Sequence, residues 1–193
     1  MRVMKHLFFF SACAACLLSC ASVTRRSIIY VNLTDASRFA LLPPGGIERD
    51  MDMVQSISAE FGDRNFFLNA WVRADENGID MVFFNEMGAS IGELSYRDGA
   101  ARFSSTVFPV SLVRSFRPEY IVADFQLSFY DPVLLNRSLR DGGLVLETQD
   151  GNRRILSGSE VIIEIEKTHN TVKLVNHFRG YTLILEGDFH YNE

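Results

Sequence analysis

Residues 51–84 read MDMVQSISAEFGDRNFFLNAWVRADENGIDMVFF, and the spacing of apolar side chains in this stretch decides the fold class. Met51, Met53, Ile57, Ala59 and Phe61 fall on odd positions, and Phe66, Leu68, Ala70 and Val72 on even ones. A period of two is that of a half-buried antiparallel strand. Turn signals separate such runs at Gly62-Asp63, Asn77-Gly78, Asp98-Gly99 and Asp150-Gly151. Asn-Gly and Asp-Gly between apolar runs mark hairpins. Strands are therefore expected at 54–61, 65–73, 79–85, 89–96 and 100–105, joined as a meander.

The pattern changes between Pro109 and Gly143, where the turn glycines vanish. Ile121, Phe125 and Phe129 recur at helical spacing with Val122 beside them, and Pro118 suits a first helical turn. A helix over 118–129 is expected. Asp131 is placed to cap a second one starting at Pro132, with Leu134, Leu135 and Leu139 inside it and Gly142-Gly143 ending it. Strands resume at 144–149, 153–157, 159–167, 171–178 and 180–187. Before all of this, 27–33 reads as a first strand and Pro43-Pro44-Gly45-Gly46 as a loop. About ten strands in one sheet must curl or close. The expected fold is thus α+β and mainly β: a curved antiparallel sheet, a half-open barrel, with a helical insert over the open side.

The chain has 193 residues, enough for one domain, with 47% hydrophobic and 22% charged residues and 16 phenylalanines. Its formal charge of −5 argues against nucleic acid as a partner, since phosphate binding needs clustered Lys and Arg. The three cysteines all lie within CAACLLSC at 13–20. Arg2 and Lys5 precede an apolar run from Leu7 to Leu18, whose helical length of about 18 Å falls short of a bilayer core of about 30 Å. This is the layout of a secretory signal. Cys13 and Cys16 spell C-x-x-C without the strand-to-helix context of a redox site.

Leu17-Leu18-Ser19-Cys20 resembles the bacterial lipobox, and Cys16 is the poorer match because Cys13 stands three positions before it. The resemblance implies a signal peptide at 1–19, Cys20 carrying diacylglycerol and an N-acyl chain, a tether at 20–26, and a single domain at 27–193. Several acyl chains together anchor a protein firmly. Ala21 and Ser22, with no Asp after the cysteine, imply the outer membrane, facing the periplasm. Further on, VADFQL at 122–127, RDGGLVLETQDGNRRIL at 140–156 and NHFRGYTLILEG at 176–187 resemble an uncharacterised family of bacterial lipoproteins. Its members often sit in gene clusters for fatty-acid-like or aryl-polyene lipid synthesis. Its recurring elements are Ala123, Asp124, Gln126 and Leu127 on a helix and a late Gly180-Tyr181. Phe129-Tyr130-Asp131-Pro132 holds one residue more than the family's aromatic-Pro pair. The expected architecture is also similar to the lipoprotein carriers LolA and LolB, curved sheets with a helical lid over an acyl cavity. NEMGAS at 85–90 matches the LolB loop that carries a membrane-inserting leucine, which assigns that part to Met87.

Asp124 could meet a ligand head group, or act as an acid or base if buried. The favoured alternative is that Asp124 and Gln126 hydrogen-bond loop backbone and fix the lid, as buried polar groups usually do. Phe66, Trp71, Phe83, Phe125 and Phe129 are candidates to line a cavity. His169 and His190 read as surface residues and His177 as half-buried strand packing. No metal-ligand spacing, G-x-S-x-G or phosphate loop occurs, so neither a catalytic residue nor a metal or other cofactor is expected. The function expected is non-catalytic binding or transfer of an acylated ligand, a lipoprotein or polyene-type lipid, between sheet and helices. A structural lipoprotein contacting other envelope proteins is the alternative, and an esterase a remoter one.

Overall fold

The computed structural model describes residues 28–115 and 117–189. The signal at 1–19, the tether at 20–26, Cys20 and His190 lie outside the described residues. Ten strands form one antiparallel sheet: β3 (Met51–Phe61), β4 (Arg64–Asp75), β5 (Gly78–Phe84), β6 (Ser90–Arg97), β7 (Ala100–Ser104), β8 (Leu144–Gln149), β9 (Asn152–Ser157), β10 (Glu160–Lys167), β11 (Thr171–Asn176) and β12 (Tyr181–Gly187). Their order is β7-β6-β5-β4-β3-β12-β11-β10-β9-β8. Two meanders meet at the β3–β12 pair, where Tyr181 lies opposite Phe61 and Leu185 opposite Ile57. The sheet is curved and does not close.

This order dictates where the helices go. β7 and β8 are the two edges, so the chain between them must cross the full width of the sheet. It does so as α1 (Val110–Ser115), α2 (Pro118–Phe129) and α3 (Pro132–Asp141). Pro118 opens α2 at a position where a missing N–H goes unnoticed. Asp131 caps α3 by accepting from the Val133 and Leu134 N–H groups, at 2.8 and 3.0 Å. The hairpins turn as their sequences require: Asp98-Gly99 and Asp150-Gly151 all have φ between 51° and 81°, as a two-residue turn matched to strand twist demands.

Two elements depart from expectation. The stretch 27–33 supplies only β1 (Tyr30–Asn32), which pairs with a short strand not read from the sequence, β2 (Arg38–Ala40), in a separate two-stranded sheet. Val31 and Phe39 sit opposite one another and both are buried, so this hairpin closes over the helices instead of joining the main sheet. α1 is a further departure, because six residues are fewer than two helical turns and too short to carry a periodic apolar pattern.

The β2–α3 contact rests on Gly142. A Cβ built there would stand 1.8 Å from the Arg38 carbonyl oxygen, and neither backbone can yield like a side chain. Gly142→Ala is expected to destabilise the protein by about 3 kcal/mol, at the upper end for overpacking. Thermal unfolding of the two forms checks this. A loss below about 1 kcal/mol would mean that β2 is loosely held.

Candidate functional site

The inner face of the sheet, towards the helices, is not uniformly dry. On one flank Ile79, Met81, Leu94 and Tyr96 are buried, and on the other Ile155, Ile163, Ile165, Val172 and Leu174. Between them, at the sheet centre, Ile57, Ala59, Leu68, Leu183 and Leu185 are only half-buried, while Phe61 and Phe66 are 45% and 49% exposed. A sheet centre is normally the best-covered part of a core. Here the helical insert covers it only in part, and this half-covered apolar surface is the cleft. It opens at the end of the sheet that carries the turns at 62–63, 85–89, 158–159 and 177–180. The same end holds exposed Phe67 on β4, Met87 at the β5–β6 tip and Phe178 in the β11–β12 turn. Val107, Phe108 and Val110, in the segment leaving β7, are exposed as well.

Polar groups gather at the open end of this cleft, between β12 and α2. The Tyr181 hydroxyl faces both carboxyl oxygens of Asp124, at 2.9 and 2.7 Å, and accepts from Asn176 Nδ2 at 3.2 Å. The Tyr181 ring stacks beside Phe61, centroids 5.1 Å apart. Asn176 Oδ1 accepts from the Arg179 N–H at 2.9 Å. The Arg179 guanidinium lies 3.6 Å from the centroid of the Tyr120 ring on α2 and donates to the Asn32 carbonyl. Loss of water around Asp124 pushes its pKa from 3.8 up to about 7, against the opposing pull of the Tyr181 hydrogen bond and of Arg179. Tyr181 is raised by its own burial and by the neighbouring carboxyl.

Two residues along α2, Gln126 is fully buried and binds a loop residue from both sides. The Leu42 N–H donates to Gln126 Oε1 at 2.9 Å, and Gln126 Nε2 donates to the Leu42 carbonyl at 2.7 Å. The Tyr96 hydroxyl donates to that same carbonyl. Leu127 is wholly buried, and its carbonyl accepts from Arg153 Nη1 at 2.7 Å. The four positions read as one motif thus act separately. Ala123 and Leu127 pack, Gln126 binds backbone, and Asp124 joins helix to sheet through a tyrosine side chain, not through backbone.

At the far end, Arg153 is 2% exposed and also donates to Glu48 Oε1 at 2.6 Å. The Lys167 ammonium stands 4.0 Å from Glu48 Oε2, and burial together with Arg153 lowers its pKa to about 8. A cavity of about 190 Å³ beside this cluster is lined by Ile47, Met51, Met53, Phe129 and Phe189. Arg153 went unread in the sequence although its position had a signal: it shares odd parity with Ile155, which put a charge on the inner face.

The remaining candidates scatter. Phe66 borders the cleft. Phe83, Phe125 and Phe129 are buried, with Phe125 and Phe129 ring centroids 5.0 Å apart. Trp71 does not line the inner space. It has the opposite parity to Ala70 and Val72, pairs with exposed Val54 and donates from Nε1 to Asp52 on the outer face. His177 is not half-buried: it stands exposed beyond the end of β11, 3.1 Å from Glu164. His169 lies in the turn at 168–170. Among the described residues no three His, Cys, Asp or Glu side chains are placed to hold a metal ion, and no helix is long and apolar enough to cross a membrane.

The two sequence elements with the clearest pattern, Asp124 on α2 and Tyr181 at the start of β12, therefore meet through the tyrosine hydroxyl at the open end of the cleft. No curated protein matches the chain. Residues 52–187, which include the whole ten-stranded sheet but for Met51 and all of the helical insert, match a family described as a protein of unknown function (DUF3261), and the chain belongs to that family.

Proposed function

We propose that this protein is a lipid-anchored envelope protein that binds an acylated ligand in the central cleft, without catalysis. The observation that carries this reading is the half-covered apolar centre of the sheet from Ile57 to Phe66, flanked on both sides by fully buried core. Leaving such a surface open forgoes about 25 cal/mol per Å² of burial, which an acyl chain entering the cleft would restore at about 0.8 kcal/mol per CH₂. The lipobox-like Leu17-Leu18-Ser19-Cys20 supports attachment at the outer membrane. The family resemblance supports a ligand drawn from lipoproteins or polyene-type lipids. Met87, 89% exposed at a hairpin tip beside the mouth of the cleft, is the residue best placed to enter a lipid surface.

The test is non-covalent lipid carried by the purified mature protein, released by solvent and resolved by mass spectrometry from any chain attached at Cys20. Wild-type protein is expected to yield close to stoichiometric lipid. Ala59→Phe, which fills the cleft between Phe66 and Leu183, is expected to yield at least fivefold less. Lipid-free wild-type protein, or equal loading of the filled variant, would overturn the proposal. A second reading follows from the exposed Phe67, Met87 and Phe178: a contact surface for another envelope protein. It requires a co-purifying protein that is lost on Met87→Ser and retained in Ala59→Phe.

A further inference from the structure

We infer that the cleft selects amphiphiles whose polar end donates hydrogen bonds, such as a hydroxyl or an amide N–H, over those ending in a carboxylate, and that Asp124 reads that end. This rests on the acyl-binding reading above and names the class of ligand.

The donors and acceptors at the open end of the cleft carry this selection. Tyr181 has one proton and directs it at Asp124, at 2.7 to 2.9 Å. Its oxygen already accepts from Asn176 Nδ2, and Asn176 Oδ1 is taken by the Arg179 N–H. The Asp124 carboxyl, by contrast, has two oxygens with about four acceptor positions between them. Among the described residues Tyr181 is its one hydrogen-bond partner. Asn176 Nδ2 keeps a second N–H, but Asn176 is 1% exposed, so the free capacity at the Asp124–Tyr181 pair itself is acceptor capacity.

The groups facing Asp124 from its neighbours support the same selection. Tyr181 comes from β12, Asn176 from β11, Arg179 from the turn between them and Tyr120 from α2 itself. Arg179 is the cation of the set. It makes no ion pair with Asp124, because its guanidinium is held over the Tyr120 ring and against the Asn32 carbonyl. An acyl chain lying along Ile57, Ala59 and Leu68 brings its head to Phe61 and Tyr181, where a hydroxyl finds an acceptor and a carboxylate meets a second carboxyl. With a pKa near 7, Asp124 is mostly ionised at pH 8 and opposes a second carboxylate.

The experiment compares 1-monomyristoylglycerol with myristate, equal in chain length, binding to the delipidated full mature protein at pH 8 by calorimetry. The glycerol ester is expected to bind at least tenfold more tightly. Asp124→Asn keeps an acceptor for Tyr181 but removes the charge, and is expected to bring the two affinities within about threefold of one another (about 0.65 kcal/mol). Equal or tighter binding of myristate to wild type, or an unchanged ratio in a folded Asp124→Asn protein, overturns the inference while leaving the acyl cleft standing. Binding of neither probe removes both.

Discussion

Arg153→Ala is expected to lower the free energy of unfolding by about 3 kcal/mol, from the buried carbonyl that loses its charged donor and the cavity that the side chain leaves. Arg153 is 2% exposed and bridges three elements. From β9 its guanidinium reaches the Leu127 carbonyl in the last turn of α2 and the Glu48 carboxylate in the loop before β3. A cation at that place also suits the negative end of the α2 dipole. Alanine leaves a buried carbonyl without its donor and a hole the size of the arginine stem. Arg153→Met restores most of the volume without the donors, and is expected to recover about half of the loss, since Glu48 can turn towards water. Urea midpoints of the three proteins measure this. An alanine variant within 1 kcal/mol of wild type would show that α2 does not depend on β9 for its position. Removing Arg153 also takes away one of the causes that depress Lys167, so the Lys167 pKa is expected to rise above about 8, as amine titration by NMR would read.

The second large effect concerns pH. Asp124 has a folded-state pKa of about 7 against 3.8 in the ordinary carboxyl. A raised pKa favours the protonated folded form. Its contribution is therefore fully present below pH 3.8 and is lost as pH rises through about 7. At about 1.4 kcal/mol per pKa unit, and allowing for the partial exposure of Asp124, the loss by pH 8 is about 3 kcal/mol. Asp124→Asn has no proton to lose and still accepts from Tyr181. It is expected to match wild type near pH 4 and to exceed it by about 2–3 kcal/mol at pH 8. Every other titrating group cancels in that difference, so denaturant unfolding of both proteins at pH 4, 6 and 8 isolates Asp124. Parallel curves would refute the assignment. The outcome bears on function, because a carboxyl whose ionisation costs stability at its own position is a candidate for ligand contact.

Much of the local structure is legible in the residues themselves. The 118–129 helix and the 144–149 strand have the same limits in the sequence pattern and in the fold, because proline, glycine and helical or alternating spacing act over a few residues. Strand β3 begins three residues before the expected 54–61, although Met51 and Met53 already share its alternation. Met51 is held in the ladder by Ala74 of β4, and a strand end depends on the partner's length. Trp71 illustrates the other failing. Its aromatic character suggested a cavity wall, but its odd parity among even inner residues already placed it outside. Asp124 and Gln126 were recognised as a pair with one task, yet they bind a tyrosine hydroxyl and a loop backbone.

What the sequence determined alone is the alternation that gives each strand a wet and a dry face, the turns that join neighbours, and the caps that start and stop the helices. All of these are set by backbone sterics and by side chains at most four positions apart. Tertiary structure decided that β3 meets β12, that the insert must therefore cross from edge to edge, and that it covers the flanks more fully than the centre. It also decided that Tyr181, 57 positions from Asp124, donates its hydroxyl proton to that carboxyl at the open end of the centre. These depend on pairings whose loop-closure entropy is repaid only when the whole sheet forms, and no window of sequence holds that balance. The cleft is a product of coverage, and coverage exists only between elements.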